Sequence, residues 1–267
     1  MNENTKFPSF KLNKRINSMI NVDLRRLFSM PLYYLMVGIS LVIPILILVM
    51  TTMFGEGEEA MGTFSNVWSI IGSTSNMNSS TTVEMTGDID MLAMCNMDMM
   101  FFAIAVLVCI FINQDFKSGY VKHLFTVRSS KTDYVISKTL IGFIGGVSML
   151  LAFFVGSIIG GKIASLSFEL PVGVTPLNIV MSLLTKFSLV CVFVPIFLLA
   201  SVIGKEKLWL SMILSFGISM LLFTMVSMIA PLNATIINIV ITIVGALVFT
   251  IGLGCISNII LKKNSLI

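Results

Sequence analysis

Six apolar stretches, each long enough to cross a lipid bilayer, constrain this chain more than any other feature. They cover residues 31–54, 92–113, 134–159, 177–203, 208–230 and 235–261. A helix needs about 20 apolar residues to cross the hydrocarbon core, and backbone groups in lipid must be hydrogen-bonded within the protein. Only 11% of the 267 residues are charged, against roughly a quarter in an ordinary soluble domain. The sequence therefore predicts an all-α integral membrane protein with six transmembrane helices over residues 31–267.

Positive charge is confined to alternate loops. Six basic residues precede the first stretch, five lie between the end of the second and the beginning of the third (the last of them, Lys138, just inside the third), two join the fourth to the fifth, and two end the chain. The remaining loops are acidic, with Lys162 as their only base, and include a long outer loop, 55–91, in which residues 61–71 are predicted to form a short surface helix. Because basic loops stay in the cytoplasm, we expect both termini to be cytoplasmic.

The segment before the first stretch, residues 1–30, has helical periodicity. Its apolar positions are Leu12, Ile16, Met19, Ile20, Leu24, Leu27 and Phe28. Lys11, Lys14, Arg15, Arg25 and Arg26 occupy the other face. A basic amphipathic helix of this kind lies in the headgroup region, with its cations near anionic lipids. We therefore predict an N-terminal interfacial helix that contacts membrane lipids.

The basic loop between the second and third stretches, residues 114–133, carries its own apolar pattern. Phe116, Tyr120, Val121, Leu124 and Phe125 recur at helical spacing among basic residues, which predicts a short amphipathic helix over 116–125. Such a helix can rest on lipid or present its aromatic face to a protein partner. The pattern alone leaves both interpretations open.

The stretch DFKSGYVKHLFTVRSSKTDYVISKTL resembles the cytoplasmic loop of type-2 ABC exporter permeases, the ABC-2 type. In that family an acidic residue and a Ser-Gly pair open a short coupling helix, and a Tyr-x-x-x-Lys motif leads into the third span. The matching positions are Asp115, Ser118, Gly119, Val121, Leu124, Ser129, Tyr134 and Lys138. The chain departs from the family at 127–129, where Val-Arg-Ser replaces Ser/Ala-x-Pro. Six spans, an interfacial helix and two cytoplasmic termini are also family features.

The resemblance implies a permease subunit of an ATP-driven exporter in the plasma membrane of a bacterial cell, similar to the permeases of antimicrobial-peptide (lantibiotic) immunity exporters. A separate cytoplasmic ATPase would bind ATP and magnesium, so this chain would hold no cofactor and would not be an enzyme. The permease would pair with itself or with a second six-helix permease and export an amphipathic peptide, lipid or drug. The residues that would couple it to the ATPase are Asp115, Phe116, Ser118, Gly119, Tyr120, Val121, Lys122, Leu124, Phe125 and Arg128.

Other functional classes have weaker support. An ion-coupled secondary transporter and a non-transporting anchor or sensor subunit are the alternatives, while a net charge of +4 is too small to indicate nucleic-acid binding. Residues 156–162 match the first seven positions of a phosphate-binding loop, but Ile163 replaces the Ser or Thr that binds magnesium. We expect its glycines to allow close helix packing instead. The cysteines show no metal-ligand spacing.

Asp98 and Lys186 are the two strongly ionisable residues well inside the apolar stretches. A charge in the membrane is costly unless it is paired or faces water. The two residues can therefore form an ion pair or line a substrate pathway. Alternatively, Asp98 is interfacial and Lys186 reaches the headgroups by itself.

Overall fold

The computed structural model describes residues 12–54, 66–72, 96–127, 131–205 and 207–264. Within these residues the chain is helical and contains no strand, so the predicted all-α class is confirmed for the described part of the chain. Short 3-10 turns cover Val67–Ile70 and Met97–Met99. The helices are α1 (Leu12–Ser29), α2 (Pro31–Phe54), α3 (Met100–Lys117), α4 (Tyr120–Val127), α5 (Lys131–Ile163), α6 (Pro176–Gly204), α7 (Leu208–Ile229) and α8 (Ile236–Asn264).

Five of these helices are long and apolar enough to cross a membrane. They are α2, α3 with the turn before it, α5, α6 and α8. The apolar part of α7, Leu208–Phe223, is shorter. A multi-pass membrane protein therefore accounts for the helices, while a sixth span and the direction of insertion stay predictions.

Glycines on α5 allow α2 to approach closely. A Cβ on Gly160 would lie 2.8 Å from the Cα of Ile45, and one on Gly156 would lie 2.8 Å from Pro44 Cγ and overlap the Leu41 carbonyl. The expectation that these glycines serve helix packing is therefore confirmed. Gly142 and Gly146 of α5 allow α6 to approach closely in the same way.

Replacing Gly156 by Ala is expected to destabilise the protein by about 1–3 kcal/mol, because the added methyl must push the α2 and α5 backbones apart. The measurement is thermal unfolding of the purified chain in detergent. Gly217→Ala is the matched control, since a Cβ at Gly217 meets nothing within 4 Å. If both variants unfold at the same temperature, the close α2–α5 contact is not a determinant of stability.

α1 packs one face against α5 instead of standing apart from the bundle. Met19, Asp23 and Leu27, spaced four residues apart, are 3%, 0% and 1% exposed. Phe28, which the sequence placed on the apolar face, is 41% exposed. Arg26 was predicted to point toward lipid headgroups. It instead points into the bundle, where it forms an ion pair with Asp115. The predicted amphipathic helix is therefore present, with Asp23 on its buried face, and its contact with membrane lipids stays a prediction.

The short helix after α3 begins at Tyr120 and not at Phe116. Phe116 belongs to the last turn of α3, and the chain turns at Ser118 and Gly119 before α4 starts. Gly119 has a φ of +72°, a left-handed conformation that glycine adopts without steric penalty. The predicted helix over 116–125 was therefore one turn too long at its start, because this turn interrupts it.

The described segment of the predicted outer loop forms a short 3-10 helix, Val67–Ile70. Val67, Ile70 and Ile71 are each 0% exposed, whereas Ser69 is exposed, so the helix predicted over 61–71 is present in its described part with one buried face. Trp68 Nε1 donates to the Phe168 carbonyl over 3.1 Å, which ties this turn to the connection between α5 and α6. Residues 55–65 and 73–91 of the predicted outer loop lie outside the described residues.

Candidate functional site

Four charged side chains from three helices meet at the end of the bundle where α1 lies, here called the α1 end. Lys138 Nζ lies 2.8 Å from Asp23 Oδ1 and 2.7 Å from Asp115 Oδ2. Arg26 Nη2 lies 2.6 Å from Asp115 Oδ1. Lys138 and both carboxylates are almost fully buried. These residues, Asp23, Arg26, Asp115 and Lys138, form the four-charge cluster, whose formal charges cancel.

Each helix presents its charge for a local reason. Asp23 falls between Met19 and Leu27 on the buried face of α1, and Lys138 faces the interior two turns into α5. Asp115 lies in the last turn of α3, where the helix dipole disfavours a negative charge. The two cations offset that unfavourable position, so the cluster stabilises the end of α3.

Hydroxyl groups complete the hydrogen bonding of the two carboxylates. Ser137 Oγ donates to Asp23 Oδ2 over 2.6 Å, and the Tyr134 hydroxyl donates to Asp115 Oδ2 over 3.2 Å. All four carboxylate oxygens therefore have a partner. Arg26 Nη1, by contrast, is buried without a hydrogen-bond partner and lies 3.6 Å from Asp23 Oδ1, so the network is satisfied at its carboxylates and incompletely at Arg26.

Aromatic rings cover the cations. The Tyr120 ring centre lies 4.5 Å from Arg26 Cζ, and the Phe111 ring centre lies 4.3 Å from Lys138 Nζ. Both distances allow cation–π attraction. The start of α4 thus contacts the charges that join α1 to α5.

Arg26 keeps its charge in this setting. Burial lowers its pKa, but the Asp115 carboxylate and, to a smaller extent, Asp23 raise it, and the net direction is upward from the ordinary value. An arginine is already protonated at every physiological pH. The cluster therefore contains one cation that does not titrate.

The cluster links helices and offers little room for a ligand. The cavity beside Lys138 has a volume of about 10 Å³ and is lined in part by Leu27, Phe111 and Gly142, which is space for one water molecule at most. Within the described ranges, no three His, Cys, Asp or Glu side chains are grouped to hold a metal. The arrangement can transmit a displacement between α1, α4 and α5.

The predicted coupling residues divide into an inward and an outward set. Val121 is buried, and Phe116, Leu124 and Phe125 pack against the core. Phe125 meets the Tyr134 ring edge-on at a centroid distance of 5.9 Å. Phe116, Leu124 and Phe125 are only half-buried, so the bundle covers part of this aromatic face, and its contact with an ATPase stays a prediction.

The outward set is polar. Lys117, Ser118 and Lys122 are exposed, and Gly119 forms the turn between α3 and α4. Arg128, the remaining predicted coupling residue, lies outside the described residues. A partner that reaches α4 would therefore meet a basic surface first.

Asp98 and Lys186 are brought together at the opposite end of the bundle. Lys186 Nζ forms an ion pair with Asp98 Oδ1, and the two side chains are 0% and 1% exposed. Ser227 Oγ donates to Asp98 Oδ2 over 2.9 Å. These three residues are here called the latch, and they join the start of α3 to α6 and α7. Along α3, Asp98 and Asp115 are about 26 Å apart.

Sequence reasoning missed several of these residues. Asp23, Ser137 and Ser227 were not identified, although an acid on the apolar face of α1 was a visible signal for Asp23. Tyr134 and Lys138 were noticed only through the family motif, without their partners. Asp115 was assigned to an ATPase contact, whereas its carboxylate lies inside the cluster.

The fold and its two buried charge sites are those of a helical multi-pass membrane protein. The chain matches no protein-family model, no curated protein and no solved structure. The family resemblance therefore rests on the residues of the loop and the arrangement of spans.

Proposed function

We propose that the chain is the permease subunit of an ATP-driven exporter, in which α4 couples the membrane helices to a separate ATPase. The observation that carries this proposal is the four-charge cluster. It joins α1, the α3–α4 region and α5 through Asp115 and Lys138, which are also positions of the loop motif. A push on α4 would therefore move three helices as one unit.

The proposal places the α1 end in the cytoplasm and counts α7 as the sixth span. The distribution of basic residues supports that orientation. The ATPase would bind ATP and magnesium, and this chain would supply no catalytic group. Six helices enclose little space, so a second copy or a similar permease would complete the pathway for an amphipathic peptide, lipid or drug.

Coupling would begin at the basic surface of α4. Lys117 and Lys122 are exposed there and suit an acidic groove, since charges at the rim of an interface guide orientation and association. The inward face of α4 would pass the motion on, because Val121 and the Tyr120 ring pack on the bundle and the cluster. ATP-driven closure of two ATPases would then shift the helices as rigid bodies.

The test is co-purification with an ABC ATPase encoded beside the gene. Reversing two rim charges in a Lys117→Glu, Lys122→Glu double variant is expected to lower ATPase recovery about fivefold at equal membrane yield. Lys162→Glu is the matched control, because Lys162 is exposed at the opposite end. Equal recovery with both variants, or no ATPase with the wild type, contradicts the coupling assignment.

An ion-coupled secondary transporter is the second candidate. The observation that favours it is the buried latch, since ionisable residues inside a membrane bundle often belong to proton or ion pathways. Reconstitution of the chain without an ATPase separates the two functions. Substrate movement driven by a proton or sodium gradient would support the second candidate and contradict the first.

A further inference from the structure

α6 is divided by Pro195. A proline inside a helix has no N–H to donate, so the carbonyl four residues earlier loses its partner. That carbonyl, on Cys191, instead accepts a hydrogen bond from Thr250 Oγ1 of α8 over 3.2 Å. At this point one backbone hydrogen bond of α6 is replaced by a hydrogen bond to α8. The two halves of α6 are therefore joined less stiffly than in a regular helix.

The half of α6 after Pro195 is firmly anchored at the α1 end. Asn113 Nδ2 donates to the Lys205 carbonyl over 2.7 Å. A Cβ on Gly204 would lie 3.0 Å from the Ser211 backbone nitrogen, so α6 and α7 are in close contact there. Phe197 and Val202 are fully buried. This half has no room to move independently of α3 and α7.

The half before Pro195 packs on the core through Leu189 and Phe193, whose ring centre lies 4.6 Å from that of Phe101, and it also carries the lysine of the latch. Its face toward α5 has Val190 against Gly146, where a glycine Cβ would lie 2.6 Å from the valine methyl. A glycine surface is smooth, and it presents no side chain that would have to be displaced if α6 tilted. The Thr250 hydrogen bond to the Cys191 carbonyl lies beside Pro195, so the ion pair of Lys186 with Asp98 is the charged attachment of this half away from the proline.

A short buried segment covers the latch. Ile70 and Ile71 are 0% exposed, and a Cβ on Gly72 would lie 3.8 Å from Lys186 Nζ. The segment 67–72 thus closes the opposite end of the bundle directly over the ion pair. Movement of Lys186 away from Asp98 would also remove one neighbour of this segment, whose start is hydrogen-bonded to Ser167 and Phe168.

We propose that the latch of Asp98, Lys186 and Ser227 keeps the opposite end of the bundle closed, and that its release lets the first half of α6 pivot at Pro195. The latch is thus a conformational switch built into the fold. This inference goes beyond the proposed function and does not depend on it, because a hinged helix serves a permease, an ion-coupled transporter or a sensor equally.

The experiment measures cysteine accessibility in the full chain, purified in detergent with its four native cysteines replaced by alanine. Ser182→Cys reports on the first half of α6 and Ser201→Cys on the second, since both positions are 0% exposed. With Lys186→Met, maleimide labelling at position 182 is expected to accelerate about tenfold or more through local opening. Labelling at position 201 is expected to stay unchanged.

A second substitution tests the pivot. Pro195→Ala restores the missing N–H, so adding it to Lys186→Met should reduce the acceleration at position 182 to about twofold or less. Asp98→Asn provides a second way to release the latch, and Lys162→Met controls for removal of a cation at the same end. The inference is overturned if labelling at position 182 does not respond to latch release, if position 201 accelerates equally, or if Pro195→Ala has no effect.

Discussion

Replacing Lys138 by Met is expected to destabilise the protein by about 3–5 kcal/mol, the range for removing one partner of a buried ion pair. Met preserves the shape of the side chain but removes the ammonium group that contacts both Asp23 and Asp115. Asp115 keeps Arg26, whereas Asp23 retains only the hydroxyl of Ser137 at hydrogen-bond distance and Arg26 at 3.6 Å. The measurement is thermal unfolding in detergent together with the yield from membranes.

Lys122→Met is the matched control, because it removes the same charge from an exposed position on α4. It is expected to change stability by less than about 0.5 kcal/mol. Adding Asp23→Asn to Lys138→Met should recover part of the loss, since it removes the carboxylate that was left unpaired. Equal unfolding temperatures for Lys138→Met and Lys122→Met would show that the cluster does not stabilise the fold.

The second large effect is expected at the latch. Asp98→Asn and Lys186→Met should each destabilise the protein by leaving one charge buried without its partner. The double variant leaves neither, so its loss should be smaller than the sum of the single losses by about 1–3 kcal/mol. Thermal unfolding of the four proteins in the same detergent gives this interaction free energy.

Glu169→Gln and Lys162→Met form the matched cycle at exposed positions of the same end. Their interaction free energy is expected to be below about 0.5 kcal/mol, since exposed charges are screened by water and salt. Additive effects of Asp98→Asn and Lys186→Met would contradict the ion pair as a source of stability. Comparison of the two interaction free energies distinguishes the effect of a buried ion pair from a general effect of removing charge.

The helices themselves were largely predictable from the sequence. A run of apolar residues records membrane burial directly, and the predicted stretch 31–54 coincides with α2. Glycines spaced four residues apart on α5 similarly indicated close packing. These features depend on residues that are neighbours along one helix, which is the information a sequence displays most clearly.

The contacts of α4 could not be predicted in the same way. An apolar helical face looks alike whether it meets lipid, a partner protein or the chain's own bundle. Tyr120, Val121 and Phe125 pack inward because α5 and α1 lie beside them, and that arrangement depends on residues distant in the chain. The start of α4 also depended on one glycine turn, which periodicity does not reveal.

The contacts within the two charge sites could not be predicted either, because they also join residues that are distant in the chain. The sequence showed that Asp98 and Lys186 both lie inside apolar stretches, but it did not show the rotation of α3 and α6 that points one side chain toward the other. Asp23 was harder to identify, because its partner Lys138 is 115 residues away. A single sequence contains no direct sign of such a pairing.

That separation has a consequence for how the chain is made. While a ribosome is still synthesising the chain, Asp23 and Arg26 are complete long before Lys138 has been added. The first helices therefore cannot reach their final arrangement until α5 has entered the bundle and closed this long-range contact. Until Lys138 has been synthesised and placed in the bundle, the Asp23 carboxylate is without this ion-pair partner, and the bundle is only partly assembled.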